Sequence, residues 1–395
     1  MSDNEMLVHQ PRLGKTGMIM LITMCNLMAP LSTDMYMPAL PEMKEYFHTS
    51  DGIMNLTLSG FFFIFALGML FFGSISDRNG RKPILVLGIL LYITGCAGCT
   101  VSMSILFLIF TRMIQALGAG CMVSVSTAIV RDQFTGNAQG SVLAVAQIFG
   151  VIGPVLSPVI GAFVYQMTGW RMVFIAQGCV TLLILTVAIL MKETLPKEDR
   201  VDAGILKTLS RQRIILKNRN FSFFLFGIIC LNAPAMAYIG TSAYVYQNYF
   251  GLSVNWYTAI FATTALFSAL GPVLYTVIRP TRAFLFSNVL FGITIAAGIL
   301  MFLAGHSHPV VFAVLVAVQL MVTVASRPFS TARLLNLQEK DAGAASSLIN
   351  FSFTMMGTIG MYLITGIWTD YILGIAVMMV AAGAAGSFLL NQAKE

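Results

Sequence analysis

Charge is scarce in this chain. Lys, Arg, Asp and Glu together make up 10% of its 395 residues, where a soluble globular domain carries about a quarter. Histidine is scarcer still: four residues, His9, His48, His306 and His308, all in terminal or loop positions. A membrane-embedded enzyme needs a histidine, acid or metal constellation at membrane depth, and these positions supply none. The six cysteines (Cys25, Cys96, Cys99, Cys121, Cys179 and Cys230) all fall within apolar runs, so they imply no disulfide framework. Cys96 and Cys99 have the spacing of a redox or metal pair, but no histidine or carboxylate stands near them in sequence. Packing of small polarizable side chains accounts for them better. Long polar stretches are also missing, with one exception at about 192–220.

What is present is apolar. The hydrophobic fraction is 57% and the mean hydropathy +0.82. A membrane span needs about 20 mostly apolar residues. Twelve such runs can be read, at roughly 16–38, 53–73, 84–102, 104–130, 141–167, 171–191, 221–248, 255–278, 283–304, 309–332, 343–367 and 371–391. The first is too long, and too polar at its end, for a cleaved signal peptide. The chain is therefore expected to be an integral protein of the lipid bilayer.

The basic residues give the orientation. With both termini in the cytoplasm, the inner side receives Arg12, Lys15, Arg78, Arg81, Lys82, Arg131, Arg279, Arg282, Arg327, Arg333, Lys340 and Lys394, and the basic cluster between Lys192 and Arg219. The outer side receives only Lys44 and Arg171. The net charge of +7 is spread over these inner loops. It is a topology signal, and no nucleic-acid partner is expected. Arg112, inside the fourth run, belongs to neither side.

The polar segment divides the runs six and six: 1–191 as an N-terminal six-helix bundle, 192–220 as a cytoplasmic central loop, and 221–395 as a C-terminal six-helix bundle. An internal repeat agrees. Tyr46-Phe47 and Tyr249-Phe250 lie 203 residues apart, as do Ser50 and Ser253, and Ala66-Leu67-Gly68 and Ala269-Leu270-Gly271. Many secondary transporters are built from two such repeats, with the substrate site between them. The same shift sets Ala237 opposite Asp34, and Pro280, Thr281 and Phe284 opposite Asp77, Arg78 and Arg81. Any ion coupling should then belong to the N-terminal half.

Among the 16 acids, Asp34 is the one that no loop, terminus or helix end accounts for. It sits inside the first apolar run, where insertion of a charge costs about 2.5–3.5 kcal/mol at a helix centre. Such a residue is a candidate for binding a proton or a cation. The competing reading is a hydrated interfacial acid or a cap, since Pro38 follows closely. Polar residues that could line a cavity with it are Asn26, Tyr36, Gln115, Gln147, Asn232 and Tyr238. The 25 methionines and 29 phenylalanines suit a pliable apolar pocket, although most of them must face lipid or fill the core.

The loop after the second run reads Gly73-Ser74-Ile75-Ser76-Asp77-Arg78-Asn79-Gly80-Arg81-Lys82-Pro83. A tight turn with anchoring cations is the plain reading. The pattern Gly-x-x-x-Asp-Arg-x-Gly-Arg-Lys also resembles the signature loop of the major facilitator superfamily, at the position where that family carries it. The resemblance implies an all-α integral membrane fold of twelve transmembrane helices in two pseudo-symmetric six-helix bundles. It implies gating roles for Gly73, Asp77, Arg78, Gly80 and Arg81. Asp77 would cap the eleventh helix, where the helix dipole favours an anion, and Arg81 would pair with Asp132.

Arg112-x-x-Gln115-x-x-Gly118 resembles the Arg-x-x-Gln-x-x-Gly motif of proton-driven members, which implies that Arg112 takes part in proton coupling with Asp34. A structural arginine bonded to carbonyls of the first helix is the alternative, and the two roles are compatible. The run from Gly150 to Gly161 carries Gly153-Pro154 and Ser157-Pro158. It resembles the Gly-Pro-rich motif of the family's antiporters, which implies an interface role for Gly153, Pro154 and Pro158. Ser157-Pro158 departs from that motif's paired glycines. Thr33-Asp34-Met35-Tyr36-Met37-Pro38-Ala39-Leu40-Pro41 closely resembles the same segment of the bicyclomycin-resistance (Bcr/CflA) type of drug:proton antiporter. Arg131-Asp132 and Gly343-Ala344-Ala345-Ser346-Ser347 agree with that branch.

The function this implies is proton-coupled efflux of a drug or antibiotic by alternating access, without cofactor or metal and as a monomer. Its partners would be protons and a small drug-like substrate. The alternative is export of an endogenous small metabolite, an amino acid or a sugar, with drug transport incidental.

Overall fold

The computed structural model describes residues 7–8, 10–200, 205–273, 283–338 and 342–393. Arg279, Arg282, Lys340 and Lys394, used above for orientation, lie outside them. Among the described residues the regular structure is helical throughout: α1 (Gly14–Asp34), α2 (Leu40–Tyr46), α3 (Asp51–Asn79), α4 (Arg81–Thr100), α5 (Ile105–Gln133), α6 (Gly136–Thr168), α7 (Trp170–Leu190), α8 (Ile205–Leu216), α9 (Arg219–Ile229), α10 (Asn232–Ala243), α11 (Val254–Ser268), α12 (Ala283–Ala304), α13 (Pro309–Asn336), α14 (Ala342–Ile367) and α15 (Tyr371–Gln392). Eleven described stretches are long and apolar enough to cross a bilayer, and the apolar stretch Ile152–Thr168 of α6 adds a shorter one. The chain is a multi-pass membrane protein.

The helices begin where side chains can accept the first free N–H groups. Ser104, Asn218, Ser253 and Asp370 each take a backbone N–H three residues on, starting α5, α9, α11 and α15. Two spans are interrupted by proline chemistry. In the first, Pro38 has no N–H to return to the carbonyl of Asp34, so α1 stops there and the chain continues through a 3-10 turn (Met37–Ala39) into α2. Asp34 thus stands at a helix end, in a break inside the membrane run, and not mid-helix. In the seventh span Pro234 denies an N–H to the carbonyl of Cys230, and the helix breaks into α9 and α10. That span closes on a π-helical turn, Tyr244–Tyr249. The polar segment at 192–220 is less of a loop than its composition suggests, for it carries α8 and the start of α9.

The chain divides into two compact units. One comprises Met1–Ala39 and Gly60–Thr208, the other Leu40–Ser59 and Leu209–Glu395. In the first, α4 and α5 pack along most of their length, with Gly88, Gly95 and Gly118 at the seam. Its buried core includes Leu85, Ile89, Tyr92, Met122, Ile129 and Phe174. The second has an aromatic core around Phe221, Phe224, Phe286, Phe291, Phe329 and Phe353. It holds residues 40–59 by polar ties. Asn55 Nδ2 donates to the Met361 carbonyl (2.6 Å), and the Tyr371 hydroxyl donates to Asp51 Oδ2 (2.8 Å). Lys44 pairs with Asp51 Oδ1 at 2.7 Å. His306 pairs with Asp370 at 2.8 Å, and His308 accepts the Val310 N–H at the start of α13.

Small residues set the approach of α1 and α6. A Cβ at Gly161 would fall on the Met35 carbonyl, whereas one at Gly292 in α12 would meet nothing within 4 Å. Gly161→Val is therefore expected to lower the thermal unfolding temperature of detergent-purified protein by several degrees or to abolish its recovery, and Gly292→Ala to change neither, overpacking costing about 1–3 kcal/mol. Equal behaviour of the two variants would show that the α1–α6 seam tolerates a side chain.

Candidate functional site

The first unit contains a buried polar network built on the last turn of α1. The final four carbonyls of any helix have no N–H partner within it, and at membrane depth no water is at hand to take them. Here other helices supply the donors. Arg112 of α5 donates from Nη1 to the Ser32 carbonyl at 2.9 Å, and Gln177 of α7 donates from Nε2 to the Leu31 carbonyl at 2.9 Å. The same Nη1 reaches Gln115 Oε1 at 2.6 Å, and Gln115 Nε2 donates to Gln177 Oε1 at 2.8 Å. Three helices are thereby tied through one chain of hydrogen bonds. The Ser32 hydroxyl adds α4, through a 2.6 Å bond with the Tyr92 hydroxyl.

Asp34 is 6% exposed and accepts the Thr33 hydroxyl at 2.8 Å. It is a buried carboxylate two residues from the carbonyl that Arg112 holds. Arg112 itself is fully buried, its guanidinium 4.5 Å from the Tyr36 ring centroid and 4.4 Å from that of Phe61. Tyr36 in turn meets Phe174 at 5.6 Å. Aromatic faces lend a cation some stabilisation where water is excluded. Chemically, Asp34 is a carboxylate that can hold a proton in a buried setting, and Arg112 is a buried cation bonded to the same helix. The bond of Arg112 to a carbonyl of α1 is the structural role named for it above.

The structure brings together Arg112, Tyr36 and Gln115 of the residues singled out in the sequence, and Asp34 stands two residues along the chain from Ser32, with the Thr33 hydroxyl on its carboxylate. Asn26 is tied elsewhere, donating to the Ile22 carbonyl (2.8 Å) and to Ser126 Oγ (3.1 Å). Gln147 lies on α6, and its side chain is outside the described residues. Asn232 and Tyr238 lie in the second unit, both on α10. Asn232 Nδ2 donates to the Phe353 carbonyl at 2.6 Å. Tyr238 packs in an aromatic group with Tyr246, Phe261 and Phe312, its hydroxyl 3.3 Å from Thr264 Oγ1. The Cys96 thiol accepts Gln115 Nε2, and the cysteines are all free thiols. Among the described residues no cluster suited to a metal ion occurs.

At the junction of α3 and α4 the signature loop closes on itself. Arg81, 3% exposed, pairs through Nε with Asp132 Oδ2 and through Nη1 with Asp77 Oδ1, both at 2.6 Å, and Nη1 also donates to Ser76 Oγ. Arg78 is exposed. The described partner of Asp77 is thus Arg81, and the side chains that open α14 lie outside the described residues. Gly80 has φ of 101°, a backbone state that a side chain strains. Gly73 lies against Ser124, and Gly153 against Pro30 of α1; Pro154 and Pro158 lie inside α6.

Sequence reasoning missed Gln177, Ser32, Tyr92 and Glu193. Glu193 accepts the N–H groups of Arg81 (2.9 Å) and Lys82 (3.2 Å), capping α4 from more than a hundred residues away. For Gln177 and Glu193 the sequence carries no local signal. Ser32 and Tyr92 act through a pairing that only the packing of α1 on α4 creates. Arg327, counted above on the inner side and inside the run 309–332, lies within α13, which does not end until Asn336.

The residues 22–361 match the model of the Major Facilitator Superfamily. The chain belongs to that family of membrane transporters. It is similar to the uncharacterized MFS-type transporter YdgK of Bacillus subtilis (strain 168), with 26% identity over 362 residues, 89% of this chain and 90% of that one. It is also similar to the multidrug resistance protein MdtL of Shigella flexneri, with 27% identity over 285 residues, 68% of this chain and 70% of that one. Two solved structures share the fold. One is the peptide transporter POT in complex with sulfate (TM-score 0.75, 13% identity, 96% of each chain), and the other a bacterial homolog of the human lysosomal transporter Spinster (TM-score 0.74, 14% identity, 98% of each chain).

Gln177→Leu removes a donor to α1 and an acceptor for Gln115 at nearly constant volume. It is expected to destabilise the protein by about 1–3 kcal/mol, the cost of leaving buried polar groups unpaired. Thermal unfolding in detergent is the check, and an unchanged midpoint would mean that the Leu31 carbonyl finds another donor.

Proposed function

We propose that this chain is a proton-coupled multidrug or antibiotic efflux transporter, a drug:proton antiporter of the Bcr/CflA type, working by alternating access. The observation that carries the reading is the buried carboxylate of Asp34 in a break of the first span, two residues from a carbonyl held by the buried cation Arg112. The multidrug resistance relatives support the drug part of the reading. In the cycle, Asp34 takes a proton from one side of the membrane and releases it to the other, and substrate and proton compete for the site. Arg112 carries the protonation state of α1 to α5. Exchange of one proton for a neutral drug moves one net charge, worth about 2.3 kcal/mol per 100 mV; exchange for a monovalent cation is electroneutral. The protein is assigned to the bacterial inner membrane as a monomer with both termini in the cytoplasm, an orientation supported by the distribution of Lys and Arg.

Efflux from proteoliposomes under an imposed pH gradient tests this reading, with wild type and Asp34→Asn and with one cationic dye and one neutral antibiotic. The wild type is expected to transport uphill, and the variant to bind substrate but lose gradient-driven flux. Uphill transport by Asp34→Asn would show that the proton is carried elsewhere.

A further inference from the structure

We propose that Arg327 is a binding site for an anionic group, so that small molecules bearing a carboxylate or a similar oxyanion are among the substrates of this carrier. This rests on the reading of the chain as a drug transporter and adds the charge class of its cargo.

Arg327 lies on α13, nine residues before the end of that helix, or about 14 Å along its axis. A charge inside an apolar helix is costly and seeks a partner. The buried arginines of the first unit have theirs: Arg112 holds a carbonyl and a glutamine, and Arg81 two carboxylates. Arg327, half-buried, shows none among the described residues. Among the described residues no carboxylate pairs with it, and its guanidinium makes no hydrogen bond. Its one contact of note is the ring of Phe353 on α14, 4.8 Å from the guanidinium carbon. That ring is 1% exposed, so one face of the guanidinium packs against the interior of the second unit.

A ring on the face of a guanidinium leaves its N–H edges available, and five donors in a planar fork match an oxyanion. Arg327 also keeps part of its surface accessible. The platform beneath it is fixed, because the backbone carbonyl of Phe353 accepts Asn232 Nδ2 from α10. Pro328, the next residue, cannot donate to the Val324 carbonyl, which loosens the helix beside the site. The second unit thus presents a half-buried cation held on an aromatic face, with no partner for its donors among the described residues. That is the chemistry of an anion subsite.

The test titrates purified full-length protein in detergent with coumarin-3-carboxylic acid and with its ethyl ester, a neutral analogue of similar shape. The quantity read is the ratio of acid to ester affinity in wild type, R327Q, R327K and Phe353→Leu. The wild type is expected to bind the acid. R327Q should lower the ratio about tenfold or more, as loss of a charge-assisted hydrogen bond does. R327K, which keeps the charge but not the fork, and Phe353→Leu, which keeps the charge but not the ring, should lower it less. Ester binding by each variant reports that it is folded. Absence of acid binding by the wild type, or a fall of less than about threefold in R327Q, overturns the anion site and leaves a structural arginine. Gradient-driven flux of the ester in wild-type proteoliposomes, read separately, decides the antiport reading. Flux with an unmoved ratio sinks the anion site alone.

Discussion

The carbonyl oxygens left open where the first and seventh spans break are the constraint on which the rest depends. In lipid an unpaired backbone group costs several kcal/mol, so a helix can be interrupted only where another helix brings a donor. In the first unit Arg112 and Gln177 bring theirs to Ser32 and Leu31. In the second, Gln319 Nε2 and Thr323 Oγ1 of α13 both donate to the Leu231 carbonyl, at 3.0 Å each. Each unit therefore solves the same problem with side-chain donors from neighbouring helices, and polar residues are buried at those breaks for that reason.

The break in α1 leaves a buried acid at the end of a helix whose carbonyl a buried arginine holds. Because Pro38 ends the helix at Asp34, the last carbonyls require donors, and a cationic donor meets that need at Ser32. A neutral donor would satisfy the backbone equally well. The donor is an arginine packed between Tyr36 and Phe61.

A second group of ties lies at the other end of α4. Arg81 gathers Asp77 and Asp132, while Glu193 holds the first N–H groups of the same helix. The two anchors fix α4 at its start and, through Tyr92 and Ser32, near its middle. Among the described residues the second unit shows no buried acid, and its half-buried cation Arg327 stands on an aromatic ring.

Residue order alone determined the membrane class, the spans, the signature loop and the placement of Asp34, Arg112 and Gln115 in apolar runs. Those signals are local: a run of apolar residues, a glycine at positive φ, two polar residues one helical turn apart. The break at Pro38 was legible as well, although its effect, ending α1 at Asp34, was not drawn from it. The tertiary structure alone decided which carbonyl each donor meets. Gln177 and Leu31 are 146 residues apart, and Glu193 and Arg81 112 apart, so their pairing depends on which helices touch. Asn26 looked like a cavity residue and is a helix tie, while Arg327 was counted as an inner-side charge and packs on Phe353. In both cases the side chain's role is set by what packs against it, and neighbouring residues in sequence carry no record of that.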